Sequence, residues 1–349
     1  MATQEKPELL SSGAGLGAAV AAETGAELGE LQPVRARGYW EQVWRRFKRD
    51  RVAIVGGLFI IFLLVMAYAG APIFRRILGH GPNDIFSTTG GLDKNDLPVG
   101  PWTHVQDLNG HTQLLPLGGD GQLARDEFLR LLYGAQVSLE VAIGATVLGM
   151  IVGVTMGAIA GYFGGWMDTI VSRVTEIVMA FPLLLFIIAL SATLGNRLNN
   201  ITFGFLQPGV FDLTVIIGIF TWYYPARIIR AVILSLREKE FVEAARMTGA
   251  TDGRIIRSHL LPHLVAPIIV YSTLIVAQNI LLEAGLSFLQ IGIPLGIPSW
   301  GNLLSSAPDY YLSQPWLMLW PGLAVLLTTL AFNLLGDGLR DAFDPRGAA

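Results

Sequence analysis

No cysteine occurs among the 349 residues, which excludes disulfides, thiol nucleophiles and cysteine-ligated metals. Charge is scarce: 15% of the side chains are ionic against 52% hydrophobic, and mean hydropathy is +0.52. That balance argues against soluble domains of the size the length would allow. No Gly-x-x-x-x-Gly-Lys-[Ser/Thr] string is present, so the chain carries no phosphate-cradling loop and is not expected to be an enzyme. The five histidines do not cluster; His259 and His263 are four apart, but Pro262 lies between them, and no metal site is expected. No hydrophobic run follows a basic start at the N-terminus, so no signal peptide is expected. The net charge of −3 is too small to define a partner, and nothing points to nucleic acid.

Long uncharged runs and 40 glycines are what the chain does have, a composition suited to helices packed closely in lipid. Residues 1–34, rich in Gly, Ala, Glu and Ser, read as a disordered cytoplasmic tail, and 35–51 as a basic juxtamembrane segment. Residues 52–346 form the membrane domain, with spans near 52–74, 136–160, 174–195, 210–232, 264–285 and 317–336. The fourth is the weakest, with Arg227 and Arg230 snorkelling to its cytoplasmic end. Arg35 to Arg51 carries seven basic and two acidic residues, which places the N-terminus inside. Loop 75–130, with five basic and seven acidic residues, falls outside, and Arg227–His263, with seven basic and four acidic, falls inside. The expectation is an all-α membrane protein of six transmembrane helices with both termini cytoplasmic. Trp300 and Trp316 fit an outer aromatic belt, and Glu140 and Glu176 are expected at interfaces or paired with an Arg.

Between spans four and five lies a polar cassette, 236–262. Leu236–Met247 is made of strong helix formers. Gly249 permits either a positive φ or a close approach. Thr251 or Asp252 can cap a second helix, which carries Ile255, Ile256 and His259 and is expected to end before Pro262. By pattern alone the cassette is also compatible with an amphipathic connector lying on the membrane.

The residue string narrows this. Glu243-Ala244-Ala245, three residues, Gly249, nine residues, then His259-x-Leu261-Pro262 resembles the cytoplasmic motif of binding-protein-dependent ABC importer permeases. Its surroundings resemble the dipeptide/oligopeptide/nickel branch, of the DppC/OppC type. The resemblance covers about residues 38–346 through further motifs: Arg125-Asp126…Gly134-Ala135, Gly161-Tyr162-Phe163-Gly164-Gly165…Asp168…Phe181-Pro182, Leu286-Ser287-Phe288-Leu289…Pro298-Ser299-Trp300-Gly301, and Asn333-Leu334-Leu335-Gly336-Asp337-Gly338. Two places depart from it. Gly118–Asp126 lacks the family's Thr, holds one extra residue and puts Ala124 where a Gly stands, and Gln290 replaces another Gly.

The resemblance implies a type I ABC importer permease fold in a bacterial or archaeal cytoplasmic membrane. It also implies a homologous second permease subunit (DppB/OppB type), two cytosolic ATPases (DppD/DppF or OppD/OppF type) holding ATP and Mg, and an extracytoplasmic substrate-binding protein. No cofactor is expected in this chain, and membrane lipid surrounds it as a partner. Glu243, Ala244, Ala245 and Gly249 would form the core of the ATPase contact, with Arg246, Thr248 and Arg254 at its rim. Arg227, Arg230, Asp337, Arg340 and Asp341 would brace the cytoplasmic face. Peptides are the first cargo implied, with nickel chelates or other small solutes as alternatives, and the sequence nominates no substrate-binding residue. An ion-gradient transporter would need polar groups at mid-bilayer, which the spans lack. A membrane scaffold stays open by the residues alone.

Overall fold

The structure is a computed structural model that describes residues 38–194 and 206–344. It divides into a short unit ending at Arg45 and a large one, Arg46–Ala349. The described part of the short unit lies in helix α1 (Tyr39–Phe47), which exposes Tyr39, Trp40 and Trp44.

The large unit is built from helices. Four are long and apolar enough to cross a membrane: α2 (Arg51–Leu78), α3 (Glu127–Phe163), α9 (Asp252–Phe288) and α11 (Trp316–Phe343). Two further runs consist of bent pairs. The third expected span is carried by α4 (Gly165–Ala180) and α5 (Leu183–Leu194), with an 83° bend between Gly165–Ala180 and Leu183–Ser191. The bend falls at Phe181, held at φ −82 and ψ 136 because the residue before Pro182 is driven out of helical conformation. The fourth is α6 (Val210–Thr221) followed by α7 (Tyr223–Leu236), bent by 40°. Counting each pair as one span gives six.

Helix α3 is the axle, contributing to three apolar clusters along its length. Ala135, Leu139 and Ala142 pack with α2, α9 and α11, and Val137, Val141 and Ala145 with α5 and α6. Ala158 and Tyr162 pack with α7 and the polar cassette. Glycines permit the close approach to α7. A Cβ at Gly153 would lie 2.6 Å from Pro225 Cγ, and one at Gly157 2.5 Å from the Ala226 carbonyl oxygen. Small residues at this four-residue spacing let two backbones touch, which is how helices gain contact where lipid supplies no hydrophobic drive.

The loop between α2 and α3 is folded, so the all-α expectation gives way there to two short hairpins. Strand β1 (Thr103–Gln106) pairs antiparallel with β2 (Thr112–Leu115), and β3 (Gly119–Asp120) with β4 (Arg125–Asp126). Phe86, Val105, Leu115 and Ala124 make its core. Asp126 links the loop to the membrane domain. Its Oδ1 accepts the Phe128 and Leu129 amides at 2.8 and 3.2 Å, capping α3, and its Oδ2 lies 2.7 Å from His80 Nε2. Burial lowers the His80 pKa, but the Asp126 bond and charge, helped by Gln113 and the Leu78 carbonyl, leave it raised above the ordinary imidazole value. Arg130 completes the junction, pairing with Asp120 at 2.7 Å and donating to Asn83 Oδ1 at 2.8 Å.

Trp300 is not in an aromatic belt. It opens helix α10 (Trp300–Ser306), is 1% exposed, and donates its indole N–H to the Leu131 carbonyl at 3.2 Å. Beside it Glu283, 0% exposed, accepts from Ser287 Oγ at 2.9 Å. The segment after α9 is thereby pinned against α3.

Candidate functional site

The cassette is organised around helix α8 (Glu240–Met247). One face is held inward: Val242 and Ala245 are buried with Tyr162, Ile229, Ile233, Ile255, Leu260 and Leu264. The other face is open, with Glu243, Ala244, Met247 and Thr248 exposed. This is the split a helix needs in order to be gripped from one side while anchored on the other. Ala245, grouped above with the contact residues, belongs to the anchored side, and Met247, given no role in the sequence reading, is the most exposed large apolar side chain of α8 at 80%.

The helix ends in a hydrogen-bonded stop. The Ala250 N–H donates to the Ala245 carbonyl at 3.0 Å and the Gly249 N–H to the Arg246 carbonyl at 2.9 Å. These two bonds define a Schellman motif, with Gly249 as its left-handed residue at φ +80. No atom lies within 4 Å of where a Cβ would stand, so glycine is required by the backbone angle and not by close packing. Thr251 then takes the N-cap position of α9 in extended conformation, without a side-chain cap bond.

The return to the bilayer differs from the expectation. The second helix does not end before Pro262; it continues as α9 to Phe288. A π-helical stretch, Ile255–Leu260, precedes the proline, which sits in the first turn of the following α-helical segment. The register change removes the usual demand for an i−4 amide bond at that point. His263, on the same helix, sets its ring 5.2 Å from that of Phe241. Helix α8 is thus in direct contact with a helix long and apolar enough to cross a membrane.

Tyr162, buried at the end of α3, joins the pieces. Its hydroxyl donates to Asp252 Oδ1 at 2.6 Å, and the Arg246 guanidinium sits 5.4 Å from its ring centroid. Arg246 is therefore engaged with this chain's own span as well as exposed. A second junction lies beside it. Asp168 of α4 accepts both Nε and Nη2 of Arg230 on α7, the latter at 2.7 Å, and Arg237 Nη1 donates to the Gly161 carbonyl at 3.2 Å. Arg230 thus ties α7 to α4, whereas Arg227 contacts the Met179 sulfur at 3.2 Å. Arg254 is exposed.

Asp337, Arg340 and Asp341 are exposed, and among the described residues no ion pair involves them. The tight contacts at that end come from Gly338, whose Cβ would fall 2.1 Å from that of Ala53, and from Arg46 Nη1 donating to the Asp344 carbonyl at 2.5 Å. Glu176 pairs with Arg173 at 2.8 Å, while Glu140 accepts from Tyr68 at 3.2 Å and not from an arginine. Among the described residues, no group of three or more His, Cys, Asp or Glu is placed to hold a metal.

Residues 153–348 match the family described as binding-protein-dependent transport system inner membrane component, and residues 38–87 match the N-terminal TM domain of oligopeptide transport permease C. The dipeptide transport system permease protein DppC of Alkalihalophilus pseudofirmus is 36% identical over 88% of this chain and 90% of its own. The glutathione transport system permease protein GsiD of Pectobacterium atrosepticum is 35% identical over 92% and 96%. A putative peptide permease protein of Brucella ovis is 38% identical over 86% and 89%.

Proposed function

The chain belongs to the binding-protein-dependent transport system inner membrane component family, and we propose that it is one of two permease subunits of an ATP-driven importer of short peptides. Both named cargoes among the relatives, dipeptide and glutathione, are short peptides, and this supports the choice of substrate class. The single observation that carries the coupling role is the two-faced α8. Val242 and Ala245 anchor it, while Glu243, Ala244, Met247 and Thr248 face outward on a rigid Schellman-terminated helix.

In this reading α8 lies on the cytosolic side and enters a groove on an ATPase subunit, which binds ATP and Mg. The second permease presents its own coupling helix to the other ATPase. ATP-driven closure of the ATPases draws the two helices together. Because α8 packs against α3 at Tyr162, whose hydroxyl also bonds Asp252 at the start of α9, the displacement reorients membrane-crossing helices as rigid bodies. An extracytoplasmic binding protein delivers the peptide to the opposite face. Residues 52–346 constitute this permease domain, with N- and C-termini cytoplasmic.

Purification of the assembled complex tests the reading. A Gly249→Val variant forces a β-branched residue into left-handed backbone, and Glu243→Ala removes the outward carboxylate. Both are expected to leave the two permeases associated and to lower binding-protein-stimulated ATP hydrolysis by about tenfold, about 1.4 kcal/mol of coupling. Unchanged assembly with unchanged hydrolysis in both variants would overturn the assignment.

A further inference from the structure

We propose that the cavity between α4 and α7 is a way station for the transported peptide, with Arg227 receiving its carboxylate. This deepens the importer reading above and rests on it. The cavity has a volume of about 450 Å³, within the roughly 300–1,000 Å³ of small-molecule sites. Ser172, Thr175, Glu176 and Met179 line it from α4, and Arg227 and Arg230 from α7.

The two arginines are in different situations. Arg230 is fully engaged with Asp168 in a two-bond pair. Arg227, three residues earlier and nearly one turn further from the end of α7, is exposed, and its polar contact is the Met179 sulfur. Among the described residues no carboxylate lies within ion-pair distance of it. It stands nine residues before the end of α7 at Leu236, which is roughly 14 Å along the helix. A guanidinium on an apolar helix is unfavourable against lipid tails and is accommodated where it meets a polar path. The cavity beside it supplies that path.

The opposite wall completes the match to a zwitterion. Glu176 on α4 is held by Arg173 at 2.8 Å, but both side chains are largely exposed, at 62% and 74%. An exposed pair of this kind is weak and exchanges readily for another cation. Arg227 on one helix and Glu176 on the other therefore offer a cation to a carboxylate and an anion to an ammonium across one space. The planar guanidinium fits a carboxylate through two parallel hydrogen bonds.

The test uses the whole complex, nucleotide-free and without its binding protein, in lipid nanodiscs. Equilibrium binding of radiolabelled dialanine and of glutathione is measured, with dialanine amide as competitor. Arg227→Gln is expected to weaken binding of both by about tenfold or more, and Arg227→Lys to retain most of it. The amide should compete about tenfold less well than dialanine on the wild type, and no less well than dialanine on Arg227→Gln. Unchanged affinity in Arg227→Gln would overturn the proposal, as would failure of the wild type to bind either probe. Loss of assembly with the second permease would also overturn it, by assigning the guanidinium to a subunit contact. ATP-driven uptake by the same wild-type complex is scored separately: uptake with unaltered Arg227→Gln binding removes this site and leaves the importer standing.

Discussion

Tyr162 makes two contacts at once, an O–H donated to Asp252 and a ring face offered to Arg246, and both partners belong to the cassette. Removing the hydroxyl in Tyr162→Phe keeps the ring and its burial and breaks only the bond to a charged acceptor, which is worth about 1.5–3 kcal/mol. The complex should still assemble, while the ATP hydrolysed per peptide imported rises several-fold. Asp252→Ala should act alike, and the double variant should be no worse than either single one, because both remove the same bond. Simultaneous ATPase and uptake measurements check this; additive effects would disconnect the pair. The two departures from the family pattern have a common physical meaning. Ala124 and Gln290 both carry a Cβ at positive φ, +49° and +60°, where glycine is the unstrained residue. Gln290 is exposed, so Gln290→Gly has little to lose and should raise stability by about 0.5–1 kcal/mol, read as a higher unfolding temperature in detergent. Ala124 is fully buried, and the methyl lost in Ala124→Gly, about 0.8 kcal/mol, offsets the strain relieved, leaving little change. At this scale the sequence named Gly249 for the right kind of reason. It could not find Tyr162, because that role depends on a contact 90 residues away.

Elements were legible where one signal dominates. Absence of charge located the long membrane runs, and the 40 glycines suited close packing without saying which helices meet. The α3–α7 contact is the most demanding case. Gly157→Ala places a methyl about 2.5 Å from the Ala226 backbone oxygen, which no side-chain rotation relieves. A loss of about 1–3 kcal/mol is expected, seen as a lower unfolding temperature and reduced yield of the complex, whereas Gly285→Ala, with open space around it, should be neutral. The α4–α5 bend was written in Phe181-Pro182 but is masked by a continuous apolar run. The hairpins of loop 79–126 were illegible because β3 and β4 are two residues each and are held by the Asp120–Arg130 pair instead of by pattern. That loop should also respond to pH. The folded pKa of His80 is raised, so its contribution is fully present below the ordinary imidazole value, about 6.5, and is lost as pH rises through the folded value. Amide hydrogen exchange, corrected for intrinsic rates, should find residues 80–126 better protected at mildly acidic than at alkaline pH. His80→Gln should flatten the difference.

Helix α3 joins three apolar clusters, α9 runs unbroken from the cassette through the membrane run, and the cassette presents one anchored and one free face. Composition and charge bias were enough to expect a multi-span protein. The proposal of an ATPase partner rested on the residue string around Gly249 alone, since no physical rule ties an exposed polar helix to an ATPase. The absence of cysteine makes the central claim directly measurable. A single cysteine introduced at Met247, 80% exposed at the tip of α8, can be compared with one at Leu312, 84% exposed before α11. In the reconstituted complex, labelled at that cysteine with a maleimide–benzophenone and irradiated, Met247→Cys should link to an ATPase subunit in a nucleotide-dependent manner and Leu312→Cys should not. Failure of the cysteine at 247 to link, or equal linking from 312, would contradict the coupling role of this helix and the orientation on which it depends.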